Sequence, residues 1–179
     1  MKKIILATSA LVLGSVAAHA ADGTVTINGV VTDQTCKVTS GSKDIRVTLP
    51  TVGVNSLATA GTTAGRTPFT INLENCKAGN VSVFFETGGN VDAATGNLNN
   101  ATGTAKNVQV QLLSDKSIVI PVLANAAQSP VTTRAAVVGA TETGTTGTAA
   151  LNYYAQYLAT GAATPGTVAT SVQYTVNYQ

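Results

Sequence analysis

The chain has 179 residues, with 10 Lys or Arg against 8 Asp or Glu, for a formal charge of +2. A balance so close to zero excludes the electrostatic footprint of a nucleic-acid binder and offers no basic patch to an anionic membrane. Charged side chains make up only 10% of the sequence, which suits a subunit whose surface is covered by neighbours and equally an ordinary neutral secreted domain.

Lys2 and Lys3 lead an apolar run from Ile4 to Val16, and Ala18-His19-Ala20 has the A-x-A form of a signal-peptidase site. Residues 1–20 read as a secretory signal, with Ala21 the first mature residue. The apolar run falls short of the ~20 residues a transmembrane helix needs. No later stretch is long and apolar enough to span a membrane as a helix. Cleavage also removes the only His, the only Met and two lysines, so basic and acidic residues become equal in number.

The mature chain opens on Gly23-Thr24-Val25-Thr26-Ile27-Asn28-Gly29-Val30-Val31. Gly23, Val25, Ile27, Gly29 and Val31 share one face, and Thr24, Thr26 and Asn28 share the other. Such alternation predicts a half-buried strand. Gly29 interrupts the apolar row, and a strand glycine marks the close approach of another backbone. Cys36 and Cys76 are the only cysteines. After export to an oxidising compartment, two cysteines with none left over point to one disulfide. There is no C-x-x-C spacing for a redox pair, and too few ligands for zinc.

Further alternating stretches follow in order. Ile45, Val47 and Leu49 predict a strand ended by Pro50. Thr51 to Arg66 is rich in small and polar residues and reads as loop. Phe69, Ile71 and Leu73 run into Cys76, and Val81, Val83 and Phe85 follow. A short strand near Leu98 sits in a polar loop. Val108, Val110 and Leu112 lead to a turn at Ser114-Asp115-Lys116 and a short return from Ile118, limited by Pro121. Ala124–Gln128 could supply one helical turn. A possible strand at Ala135–Val138 precedes the alternation of Leu151, Tyr153, Ala155 and Tyr157. Gly161 to Gly166 breaks the chain. The final stretch, Ser171 to Gln179, places Val172, Tyr174, Val176 and Tyr178 on one face. If the chain ends at Gln179, this strand is left without a successor to cover it, and an uncovered edge invites another strand. Roughly eight short strands without a long 3.6-residue period predict an all-β, immunoglobulin-like sandwich.

Catalytic chemistry finds little to work with. A mature chain without His cannot run a Ser-His-Asp or Cys-His mechanism. The carboxylates are scattered along strand faces and turns. Gly144-Thr145-Thr146-Gly147-Thr148 lacks the Lys and the spacing of a phosphate loop. Asn80-Val81-Ser82 and Asn100-Ala101-Thr102 match the glycosylation sequon, a weak pattern. No catalytic, cofactor-binding or metal-binding residue is expected, and the chain does not read as an enzyme.

These pieces, in this order, resemble the major subunits of type 1-like fimbriae, which Gram-negative bacteria assemble by the chaperone–usher route. The likeness rests on the signal, on the Gly23–Gly29 stretch leading to Cys36, and on the single Cys36–Cys76 pair. It rests also on the Ala159–Gly166 approach to the last strand and on the penultimate Tyr178. The resemblance implies an incomplete immunoglobulin-like sandwich that lacks its last strand. It implies a signal at 1–20, an N-terminal extension at 21–35 and a pilin domain at 36–179. Gly23, Val25, Ile27, Gly29 and Val31 would form a donor strand. Gly166, Val172, Tyr174, Val176 and Tyr178 would belong to the acceptor and chaperone-binding strand. The implied partners are identical or homologous pilins, a periplasmic chaperone and an outer-membrane usher. The implied location is an extracellular fimbrium reached through the periplasm. The alternatives are a minor adaptor or tip pilin, or a small carbohydrate-binding sandwich, which would display exposed aromatics more often.

Closing a loop of roughly 40 residues, the disulfide stabilises the domain by about 4 kcal/mol in a chain-entropy account. Replacing both cysteines (Cys36→Ser with Cys76→Ser) is expected to lower the periplasmic level of folded subunit, read by immunoblot after osmotic shock. An unchanged level would show the bond to be dispensable.

Overall fold

The computed structural model describes residues 25–27, 29, 31, 36–141 and 144–178. The signal, Gly23 and Gln179 lie outside them. Val25, Ile27, Gly29 and Val31 are exposed and belong to no strand.

From Cys36 onward, nine strands run in chain order among the described residues: β1 (Lys37–Val38), β2 (Thr63–Cys76), β3 (Asn80–Phe85), β4 (Leu98–Asn99), β5 (Val108–Ser114), β6 (Val119–Ile120), β7 (Arg134–Ala136), β8 (Gly147–Ala159) and β9 (Tyr174–Tyr178). Helical turns are brief: α1 (Ser40–Lys43), a 3₁₀ turn at Val54–Leu57, and α2 (Asn125–Gln128). None of them is long and apolar enough to cross a membrane.

The strands form two antiparallel sheets. The larger runs β1-β2-β8-β5-β4, with β6 paired to β5; the smaller runs β7-β3-β9. The period-2 sequences decide what each face buries. On β2 and β8, Phe69 lies opposite Tyr153 and Ile71 opposite Leu151. On β3 and β9, Val83 lies opposite Val176 and Phe85 opposite Tyr174. Ile71, Leu73, Val83, Phe85, Leu151 and Tyr153 are fully buried in one core between the sheets. An aromatic contact pins the layers together. The Phe85 ring meets Tyr153 edge-on with centroids 5.3 Å apart, and Phe69 stacks on the same tyrosine at 5.6 Å. Such pairs add ~0.5–1.5 kcal/mol beyond their burial.

The disulfide forms as expected between Cys36 and Cys76. It joins the residue before β1 to the last residue of β2, beside the pairing of Lys37 with Glu74. The turn after β5 also forms, with the Ser117 amide donating to the Ser114 carbonyl at 2.9 Å. β3 outruns its short neighbour β7, and a side chain completes the ladder. The buried Gln128 amide donates to the Phe85 carbonyl at 2.8 Å and accepts from the Phe85 amide at 3.0 Å.

Three expectations need correction. Thr63–Arg66, read as loop, is the first part of β2 and pairs with β8 through a bulge between Ala64 and Thr67. Its Thr-Ala-Gly-Arg composition hides a strand that long-range pairing enforces. The last strand begins at Tyr174, not Ser171. Most telling, Ile45, Val47 and Leu49 form no strand. Their burial still alternates, half-buried against exposed Arg46 and Thr48. The sequence has the pattern of a strand, but among the described residues no neighbouring strand is there to bond it.

Burial raises the Tyr153 phenol to about 12. The unfolded chain therefore loses this proton first as pH rises. The stability linked to Tyr153 is complete below pH ~10, the unfolded value, and is lost as pH climbs from there toward about 12. Chemical denaturation of wild type and Tyr153→Phe across pH 9–11.5 is expected to show a steeper alkaline decline in wild type. Parallel curves would contradict the assignment.

Candidate functional site

β9 is the outer strand of the smaller sheet. It pairs with β3 on one side, and its other edge has no partner among the described residues. Beside that edge runs an open groove of about 960 Å³. One wall carries Val168, Thr170, Val172 and Tyr174, and the facing wall carries Ile45, Val47 and Leu49. Between the walls, core residues such as Ile71, Phe85 and Leu112 line the groove. The domain thus opens its hydrophobic interior along one line, between two extended segments that do not reach each other.

The alternation of the C-terminal segment builds the first wall. Residues 168, 170, 172, 174, 176 and 178 are half-buried, while 169, 171, 173 and 175 are exposed. Val168, Val172, Tyr174, Val176 and Tyr178 pack against the core. Two of these side chains also tie the wall to the start of the domain. The Tyr174 hydroxyl donates to the Ser42 carbonyl at 2.6 Å. The Tyr178 hydroxyl accepts from the Cys36 amide at 2.7 Å. Partial burial, with Asp44 adding to it, pushes the Tyr174 phenol up and keeps it protonated as a donor.

The stretch leading into the wall is held from outside the groove. Asn100 is the hub. Its Nδ2 donates to the carbonyls of Ala105 and Thr167 at 2.9 and 3.0 Å. Its Oδ1 accepts from the amides of Gly103 and Ala169 at 3.1 and 2.8 Å. Farther along, the Glu86 amide donates to the Gln173 carbonyl at 2.8 Å, and the Thr175 hydroxyl donates to the Glu86 carboxylate at 2.6 Å. Gly166 fits because it has no side chain. A Cβ there would run into the Ala105 amide and the Thr104 hydroxyl.

The structure therefore brings Val172 and Tyr174 to the groove wall and Val176 and Tyr178 onto the continuing edge. Gly166 stands just before the wall and does not line it. Val25, Ile27 and Val31 are 87%, 88% and 102% exposed, and a side chain at Gly29 would touch nothing. Sequence reasoning missed the facing wall as part of the site. It missed Asn100 too, whose sequon hides an anchoring role. The spacing of Asn100 and Gly103, an Asn side chain accepting from the amide three residues on, is the local signal that could have exposed it.

The groove holds no catalytic constellation, and among the described residues no group of His, Cys, Asp and Glu can hold a metal. What it can do is take up an extended strand. In β-strand addition generally, main-chain groups along a free edge give the ladder and pockets take every second side chain.

Comparison with known proteins shows the family. The family model FimA, described as type-1 fimbrial protein, A, matches residues 49–179. The major fimbrial subunit SMF-1 of Stenotrophomonas maltophilia (strain K279a) is 53% identical over 171 residues, covering 94% of this chain and 99% of that one. The F17 fimbrial protein of Escherichia coli is 46% identical over 172 residues, covering 92% of each. A chain from a chaperone–usher pilus structure concerned with rod uncoiling superimposes with a TM-score of 0.55 at 20% identity, covering 89% of this chain and 96% of that one. At that identity the superposition speaks for the fold.

Asn100→Ala removes four hydrogen bonds from the groove wall and is expected to cost about 2–3 kcal/mol. Asn100→Asp keeps both acceptor contacts and should cost less. Denaturant midpoints of the two variants decide the matter, and a neutral Asn100→Ala would refute the anchoring role.

Proposed function

The chain belongs to the type-1 fimbrial protein family, and from that premise we propose how it polymerises: residues Gly23–Val31 of one copy fill the groove of another and pair with its free edge. The chain is a structural subunit of a fimbrial rod, displayed as an extracellular fibre. The observation that carries the mechanism is the meeting of two incomplete halves in one sequence. One half is an apolar groove beside an unpaired strand edge. The other is a segment whose alternating valines and isoleucine lie exposed.

Three such side chains, each worth ~1.5–3 kcal/mol when fully buried, would contribute ~5–9 kcal/mol. Ladder hydrogen bonds along β9 add to this. Strand addition of this kind is the established mode of chaperone–pilin donor-strand complementation. Because donor and groove are different surfaces, the contact is head-to-tail, and a head-to-tail contact that does not close generates an open helical filament. Before assembly the same groove would be occupied by a strand of a periplasmic chaperone, and an outer-membrane usher would exchange one strand for the other. Cleavage after Ala20 frees the donor, residues 21–35 carry it, and residues 36–179 form the receiving domain. No catalytic role is assigned. The mature chain has no His to serve as a general base, and the groove is lined mainly by hydrocarbon.

Deleting 23–31 tests this. The truncated subunit is expected to fold and to be retained in the periplasm, but to give no heat-resolved ladder on SDS gels and no fibres by electron microscopy. Normal fibres from this variant would overturn the donor assignment.

A further inference from the structure

The smaller sheet has a second face, turned away from the core. Ser82 lies between Val81 and Val83, both in the core, so its side chain belongs to that outer face. There the antiparallel register sets Arg134, Ser82 and Asn177 side by side on β7, β3 and β9. A pocket of about 240 Å³ opens between this row and the 125–132 segment. Ser82 and Asn177 line one side of it, and Asn125, Gln128, Ser129 and Thr132 line the other. Ser82 is only 1% exposed, yet its hydroxyl makes no hydrogen bond among the described residues. The half-buried Asn177 amide makes none either. A buried hydroxyl without a partner is costly, and here two unpartnered groups converge on one space.

The far wall is held in place by its own bonds. Gln128 spends its side chain on the Phe85 main chain and on the Leu123 carbonyl at 2.7 Å. The Thr132 hydroxyl donates to the Val83 carbonyl at 3.1 Å. Arg134 reaches Ser129, donating to its carbonyl at 2.8 Å and to its hydroxyl at 3.3 Å. These contacts leave the Ser82 hydroxyl and the amides of Asn125 and Asn177 to meet a guest. A wall fixed beforehand lowers the ordering cost of binding one.

The lining decides the chemistry of that guest. Hydroxyls and primary amides both donate and accept, so they match a ligand whose groups do the same, as alcohol hydroxyls do. No carboxylate or cation lines the pocket, and Arg134 stands outside it, bonded to Ser129. At ~30 Å³ per water the space is worth roughly eight waters, more than a bridging water needs. It is also below the ~300–1,000 Å³ of sites for larger ligands, which leaves room for one six-membered ring. Phe84 follows Ser82 on the same face and is half-buried, an aromatic ring on which the C–H groups of a sugar can pack. We propose that this pocket binds a single neutral sugar ring, with Ser82 and Asn177 bonding its hydroxyls. The site is independent of strand uptake. It shares no lining residue with the groove and lies on the other face of the sheet, so filling the groove does not fill it. Repeated along a fibre, a weak site of this kind gains avidity for a surface that carries many such sugars.

Saturation-transfer NMR on the full mature chain tests the site. The probes are the methyl glycosides of glucose, galactose and mannose, with acetate as the anionic control. Ring protons of at least one glycoside are expected to take up saturation from the protein. Asn177→Ala should weaken that binding about threefold and Ser82→Val about tenfold. Ser82→Val places methyl groups in the pocket at a strand position that suits valine, and denaturant midpoints report whether it folds. Asn177→Ala carries the test if it does not. Silence from all three glycosides would overturn the proposal. Unchanged affinity in Asn177→Ala, or in folded Ser82→Val, would move the sugar to another place on the chain. Transfer to acetate with none to the glycosides would make the pocket an anion site governed by Arg134, and the neutral-sugar assignment would fall.

Discussion

Main-chain polar groups buried away from water must find partners, and this domain leaves one row of them to be satisfied from outside. The main core between the two sheets lies open in the groove between the 45–49 segment and the 168–175 segment. Both segments alternate, and both pack half their side chains inward. Neither can bond the other across the gap. The groove is therefore the space of one missing strand. Its apolar lining and its unpaired edge are two consequences of the same absence.

Much of the remaining structure serves to keep that space in shape. The Cys36–Cys76 bond fixes the start of the domain to the end of β2. The hydroxyls of Tyr174 and Tyr178 then tie the C-terminal wall to that fixed point. From the other side, Asn100 and Glu86 hold the main chain of the wall by hydrogen bonds that an incoming strand need not disturb. The Phe85–Tyr153 contact sets the distance between the layers beneath. A wall built this way has its side-chain row presented before any occupant arrives, which lowers the ordering cost of taking one up.

The low charge of the chain fits the same logic. An exposed apolar edge is a liability in a free monomer, and a segment with exposed Val25, Ile27 and Val31 is another. On the strand-uptake proposal, the two surfaces cover each other between copies.

Much of this was legible in the residues alone. Period-2 alternation depends on nearest neighbours in sequence, so β3, β5, the core of β8 and the final strand could be read directly. The disulfide followed from there being two cysteines and an export signal. Tertiary pairing decided the rest. Thr63–Arg66 became strand because β8 runs alongside it, whatever its own propensity. Ile45–Leu49 kept its alternation and formed no strand, because a ladder needs a second strand and none is beside it among the described residues. Asn100 gained its role from a segment more than 60 residues distant in sequence. The sequence by itself determined which residues face inward; only the folded chain decided where the inward face is left open, since an opening is a relation between segments and belongs to no one of them.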